Sequence, residues 1–247
     1  MRLIGVGLAV LAVGVTGGAM SLSVGSSAHW FLFDLPSLNT FVRLANQTLA
    51  FVNERAGADP VPPIPELRHG VGLKLAEALG GVVRVGLQMA VASVNTRTQG
   101  SWTTGETPHP VDISLEASLV AFSIELSLVL VPDVLTAGVS VGWGSSRVIY
   151  RCAFPRTLPT DWSLPFLPKN EDTTYTGSGP LGAIAVGLSL PVGQGISAGL
   201  EVGFRLAPAW VPTSGTAVLD LNADGLGDPV GFSGLWLGIT VQMEFNL

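Results

Sequence analysis

Charge is scarce in this sequence: Lys, Arg, Asp and Glu make up 12% of its 247 residues, about half of what a soluble domain uses to cover itself. The net charge is −6 and no Lys/Arg cluster exists, so nothing could track a phosphate backbone and nucleic-acid binding is excluded. Cysteine occurs once, as Cys152, which excludes an internal disulfide. His29, His69 and His109 stand alone, without HExxH or Cys/His spacing, so each reads as an ordinary loop or rim residue. No nucleophile–base pattern and no complete phosphate-binding glycine loop is present, and no catalytic residue is expected. A long apolar helix is missing too. Between Arg2 and His29 no residue is charged, but the most apolar part falls short of the ~20 residues of a helical span. Gly5, Gly7, Gly14, Gly17 and Gly18 weaken any helix there. Residues 1–19 therefore read as a signal peptide with a cut after Ala19, leaving 20–247 as a single barrel domain.

What the chain does have is hydrophobicity, 47% of residues with a mean hydropathy of +0.50, arranged with a period of two. Val83, Val85, Leu87, Met89 and Val91 alternate with Arg84, Gly86, Gln88, Ala90 and Ala92. Leu235, Leu237, Ile239, Val241, Met243, Phe245 and Leu247 alternate with Trp236, Gly238, Thr240, Gln242, Glu244 and Asn246. Alternation alone does not say which face is outside. The make-up of the polar face does: it is mostly Gly, Ala and Ser, suited to a crowded lumen, where a water-facing strand would carry Lys, Glu and Thr. Its few ions carry both signs and can pair across a narrow interior, whereas Arg or Lys near a bilayer midplane costs ~2–4 kcal/mol. The apolar rows are therefore expected to face lipid. Lys74, Arg84, Gln88, Glu116, Glu125, Glu201, Arg205, Gln242 and Glu244 are expected to line the lumen.

Strands are expected at 70–79, 82–98, 110–131, 134–150, 180–191, 195–211 and 231–247, joined alternately by short turns and long polar loops. A closed barrel needs an even number, and Met20 to Phe33 supplies the eighth strand, with Leu22, Val24, Trp30 and Leu32 opposite Ser21, Ser23, Ser27 and His29. The hydrophobic parity slips between Leu119 and Phe122; a β-bulge explains it, and a tight turn giving ten strands is the alternative. The expected fold is thus all-β, a closed antiparallel up-and-down transmembrane barrel of about eight strands. Within the segment 34–69, Phe41, Leu44, Ala45, Leu49 and Val52 follow helical spacing behind Ser37 as N-cap. This gives one amphipathic helix near 37–54, followed by the stiff linker Pro60, Pro62, Pro63 and Pro65. The helix either rests on the barrel mouth or plugs the lumen.

With these strands, with aromatics near their ends (Trp102, Trp143, Tyr150, Trp210, Phe232), and with the C-terminal strand Val241-Gln242-Met243-Glu244-Phe245-Asn246-Leu247, the chain resembles the outer-membrane β-barrel proteins of diderm bacteria. It departs from that family in ending on Leu247 where an aromatic residue is usual. The resemblance implies an outer-membrane location, a lipid bilayer as partner, and assembly machinery that reads the last strand. It names no substrate. The expected role is structural or surface-interacting, without catalysis. A porin-like narrow channel or transporter is the alternative, and a soluble carrier of an apolar ligand the second.

One compact motif remains, Asp220-Leu221-Asn222-Ala223-Asp224-Gly225-Leu226-Gly227-Asp228. Oxygen ligands at alternate positions, a glycine for the sharp turn and a final carboxylate suit a hard cation. The pattern resembles the nine-residue loops of extracellular calcium-binding repeats, although the bidentate Glu of an EF-hand is missing. Asp220, Asn222, Asp224 and Asp228 are the expected ligands of a structural Ca²⁺; an ordinary Asn/Asp/Gly turn is the alternative.

Overall fold

The computed structural model describes residues 21–56, 60–104, 106–159, 162–222 and 224–246; the expected signal peptide and the terminal Leu247 lie outside them. Eight strands close into an antiparallel ring: β1 (Ser21–Asp34), β2 (His69–Gly80), β3 (Val83–Thr104), β4 (Thr107–Val131), β5 (Leu135–Ala153), β6 (Glu171–Gly193), β7 (Ile196–Leu206) and β10 (Ser233–Asn246). Two two-residue strands, β8 (Thr213–Ser214) and β9 (Ala217–Val218), extend the sheet from β6. Closure comes from β1 pairing with both β2 and β10. One row of partners runs Ser23, Ala78, Gly86, Glu125, Ser140, Ala183, Arg205, Gly234 and returns to β1 at Phe33, ten residues beyond its start. That stagger tilts the strands by ~40°.

The termini of the ring and its short turns share one end, the turn end; the helix and the longer connections share the other, the loop end. Around the ring the outward rows are apolar and exposed. On β10, Leu235, Leu237, Ile239, Val241, Met243 and Phe245 all face out. Ten steps of ~3.4 Å at this tilt rise about 26 Å, the height of a bilayer's apolar core. A closed ring leaves no backbone edge bare in that belt. The chain is a transmembrane β-barrel of the outer-membrane type.

β3, β4, β5 and β6 do not stop at the top of the belt, and their two faces exchange character there. The outward row Leu87, Ile124, Val141, Gly182 lies in the belt, and Met89, Phe122, Trp143, Pro180 is at its upper margin. Two rows further on, the outward residues are Ser93, Ser118, Arg147 and Thr176. Inward residues change in the opposite sense, from Ser123 and Glu125 to Ala117, Leu115 and Ile113, all three buried. The expected β-bulge between Leu119 and Phe122 is absent: pairing on both sides of β4 continues there without a register shift. Parity changes because the surroundings change, lipid outside one half of the strand and water outside the other. For the same reason the expected polar loop near 99–109 is a continuation of the β3–β4 hairpin to Thr104 and Thr107, which carries roughly 40 Å of strand beyond the belt. β6 begins at Glu171, nine residues before the expected 180, and β7 ends at Leu206 rather than 211, ahead of Pro208, which has no N–H to continue a ladder.

The apolar inner face of this extension is covered by α1 (Pro36–Ala56), which buries Leu38, Phe41, Val42, Ala45, Thr48, Leu49 and Val52. Pro36, with φ already near helical values, takes the first turn, so Ser37 is not the cap expected of it. Phe41 meets Tyr150 edge-on at 5.3 Å and Thr48 Oγ1 donates to the carbonyl of Phe166 at 2.6 Å. These partners lie beyond the belt, so the helix stands on the barrel mouth. It forms a folded head with the extended strands and the described residues of the connections 154–170 and 207–232.

The proline-rich return segment is fixed to the helix by a ladder. Asn39, Asn46 and Asn53 each bond in both directions to the backbone of one residue: Asn39 to Leu67 at 3.2 and 2.8 Å, Asn46 to Ile64 at 2.9 and 2.7 Å, Asn53 to Val61 at 2.9 and 2.9 Å. Seven residues of α-helix rise ~10.5 Å and three residues of extended chain span up to ~10 Å, so the two repeats stay in step. On its far side the segment accepts from β3, Pro65 from Thr96 Oγ1 and Pro62 from Thr98 Oγ1, at 2.7 and 2.6 Å.

Candidate functional site

Inside the belt the barrel holds a polar well. Lys74 and Gln88 point inward from β2 and β3 together with Arg84. Glu125, Glu201, Arg205, Gln242 and Glu244 join them from β4, β7 and β10. Glu116, expected among them, lies on the outer face, exposed, in the row with Asn95 and Ile149. It sits beyond the switch of faces, where inward positions are apolar and outward ones meet water.

Four of the ions form two pairs. Arg84 Nη2 donates to Glu244 Oε1 at 2.9 Å near the turn end. Deeper in, Lys74 Nζ pairs with Glu201 Oε2, while Glu201 Oε1 accepts from the indole of Trp236 at 3.1 Å and lies 3.8 Å from His29 Nε2. Glycines make these bulky contacts possible: a side chain at Gly203 would overlap the Trp236 indole, and one at Gly238 the His29 imidazole. His29, expected to be an ordinary loop or rim residue, is instead buried within β1 and lines the well, in strand parity with Ser23 and Ser27; Trp236 carries no signal of its own in the sequence. The inward position of His29 follows from that parity, its partners only from the ring.

The space between these groups lies in three cavities that share lining residues and shrink upward. A vestibule of about 300 Å³ at the turn end, beside Arg84 and Glu244, shares Arg84 and Gln242 as lining with a cavity of about 110 Å³ beneath Lys74 and Glu201. Above it is a chamber of about 20 Å³ beside His29, Glu125 and Arg205. There it stops. Phe31, Leu119, Leu181 and Trp236, all at least nine-tenths buried, form a ceiling that merges with the core of the head. The aromatics at strand ends divide accordingly: Trp102, Tyr150 and Phe232 are buried in the head, Trp210 is partly buried against it, and of those five only Trp143 is exposed at the belt's upper margin. Trp30 and Phe122 are exposed there with it.

The second candidate, the 220–228 loop, lies in the head. Gly225 takes φ +82, the left-handed region suited to glycine, and its N–H donates to Asp220 Oδ2 at 3.0 Å. Asn222 Nδ2 reaches Asp224 Oδ2 at 3.1 Å and Asp228 Oδ1 at 3.3 Å, so the loop is closed by an amide between two carboxylates. Leu221 N–H donates to Asp228 Oδ2 at 2.6 Å, and Asp220 Oδ1 is buried without a partner among the described residues. Burial raises the Asp228 carboxyl above the ordinary range; Asp220 and Asp224 push the same way, and the Leu221 N–H opposes them. Among the described residues no three His, Cys, Asp or Glu side chains converge as a metal-binding group.

No protein-family model and no curated protein sequence matches the chain. Several solved structures share its course. OprG of Pseudomonas aeruginosa is 8% identical, with 93% of this chain and 97% of that one covered and a TM-score of 0.40. Ail, the attachment invasion locus protein of Yersinia pestis, in complex with the heparin analogue sucrose octasulfate, is 8% identical over 92% and 99%, with a TM-score of 0.38. The outer membrane protease OmpT of Escherichia coli is 9% identical over 93% and 96%, with a TM-score of 0.37. The chain is similar to these outer-membrane barrels in outline, and similarity at this level carries nothing about ligand or activity.

Proposed function

We propose that this protein resides in the outer membrane as a non-conducting, non-catalytic barrel that holds a folded head at the cell surface for a structural or surface-interaction role. The observation that carries this reading is the ceiling of Phe31, Leu119, Leu181 and Trp236, above which the loop end is filled by α1 and its apolar partners. Short turns facing the periplasm and longer connections facing outward are the rule for such barrels, which supports a head outside the cell. Insertion by the outer-membrane assembly machinery, reading the alternation of β10, belongs to the same reading.

The narrow channel is favoured by one feature, the polar well itself, and the soluble carrier by none, because inside the belt the barrel's inner face is polar. Single-channel recording in planar bilayers tests the reading. The expected result is no conductance above the bare membrane; discrete, ion-dependent openings would replace it with the channel.

A structural Ca²⁺ in the 220–228 loop is a further part of this reading. It is supported by the ligand spacing of the loop and by the unpartnered Asp220 Oδ1, and it requires the carboxylates of Asp220, Asp224 and Asp228 to converge further than they do here and Asn222 to present its amide oxygen instead of its nitrogen.

A further inference from the structure

Arg205 has no direct counter-ion among the described residues: Glu201 attracts it through space, but is held by Lys74. Only 6% of the residue is exposed, its guanidinium carbon lies 5.0 Å over the Phe31 ring and 5.8 Å from that of Trp236, and Nη1 has no hydrogen-bond partner among the described residues. Both ring nitrogens of His29 and the hydroxyl of Ser27 are buried and unpartnered in the same way. The nearby Glu201 is engaged on both oxygens, by Lys74 and by Trp236. Glu125, which borders the same chamber, forms no ion pair with Arg205. A guanidinium at membrane depth is costly unless something neutralises it, and cation–π contact with two rings offsets part of that cost without supplying a hydrogen-bond acceptor.

We propose that the chamber at the top of the well is a binding site for a monatomic halide held by Arg205, with His29 as second donor. The available space, about 20 Å³, holds one water-sized species and excludes sulfate, phosphate or a carboxylate-bearing solute. A water would satisfy hydrogen bonds, but it leaves Arg205 without a direct counter-ion, whereas a halide accepts from Arg205 and from an imidazole N–H and pairs with the guanidinium itself. Entry is from the turn end, through the vestibule and the cavity beneath Lys74 and Glu201.

The test uses the full chain folded in detergent, with bromide as probe. Melting is compared in sodium bromide and sodium gluconate at equal ionic strength. Bromide is expected to raise the midpoint saturably, by about 3 °C or more, and Arg205→Gln is expected to remove the difference. Crystals grown in bromide provide a second reading that needs no variant: an anomalous peak at hydrogen-bonding distance from Arg205 supports the site. A water without anomalous signal at that position, with equal melting in the two salts, overturns it. Neither outcome bears on whether the barrel conducts, so this inference and the proposed function fail separately.

Discussion

Asn53 Oδ1 accepts two hydrogen bonds at once, from the indole Nε1 of Trp102 at 2.6 Å and from the backbone N–H of Val61 at 2.9 Å. One oxygen thereby joins the last turns of α1, the proline segment and the far end of the β3–β4 hairpin. All three groups are buried or half-buried, where an unmade hydrogen bond costs about 1–3 kcal/mol.

The middle rung of the ladder gives the first prediction. Asn46→Leu strands both the N–H and the C=O of Ile64, so the head is expected to lose about 2–3 kcal/mol while the barrel, whose ladder is untouched, stays folded. Limited proteolysis reads the difference: cleavage within 57–68 should accelerate while the heat-sensitive electrophoretic mobility of the folded barrel is unchanged. Equal protection of that segment in both proteins would count against the ladder.

Two substitutions on one strand test the exchange of faces. Ile124 and Ser114 share the outward parity of β4, the first in the belt and the second beyond it. Ile124→Arg is expected to cost ~2–4 kcal/mol of folding free energy in phospholipid bilayers, the penalty of a cation near the midplane. Ser114→Arg, facing water but flanked by Arg97 and Arg151 on the neighbouring strands, should cost no more than about 1 kcal/mol.

Within the well, Lys74 and Glu201 are mutually dependent. Lys74→Met leaves a buried carboxylate whose one remaining donor is Trp236, and a loss of about 3–5 kcal/mol is expected. The double change Lys74→Met with Glu201→Leu should recover most of it, because removing both charges also removes their desolvation. A double variant as unstable as the sum of the single ones would show that the pair is not coupled.

The 220–228 loop carries a pH signature. A carboxyl whose folded pKa is raised contributes stability that is complete below its unfolded pKa and is lost as pH rises through the folded one. By that sign the metal-free loop is most stable in acid and weakest at neutral pH, where Asp228 is ionised among Asp220 and Asp224. Calcium is expected to raise the melting midpoint at neutral pH, and the shift should fade as acid protonates Asp228. Asp224→Ala should abolish it; an undiminished shift in that variant would remove the loop as the calcium site.

Period-two alternation on β10 and β3, the small residues opposite it and the shortage of charge determined a closed barrel with apolar rows outward, because only one side of such a strand is compatible with lipid. Phe41, Ala45, Leu49 and Val52 determined a helix by their spacing alone. The slip in parity at Leu119–Phe122 was visible too, but its meaning was not: a bulge and a change of surroundings leave the same mark on one strand. Only pairing with β3 and β5 tells them apart, and with it the place of Glu116. The same holds for the ladder of Asn39, Asn46 and Asn53, whose heptad spacing becomes a structure only beside Val61, Ile64 and Leu67, and for Arg205, whose isolation is a property of the ring. Local periodicity is written along the chain; which charge meets which, and where lipid gives way to water, is decided between strands distant in sequence.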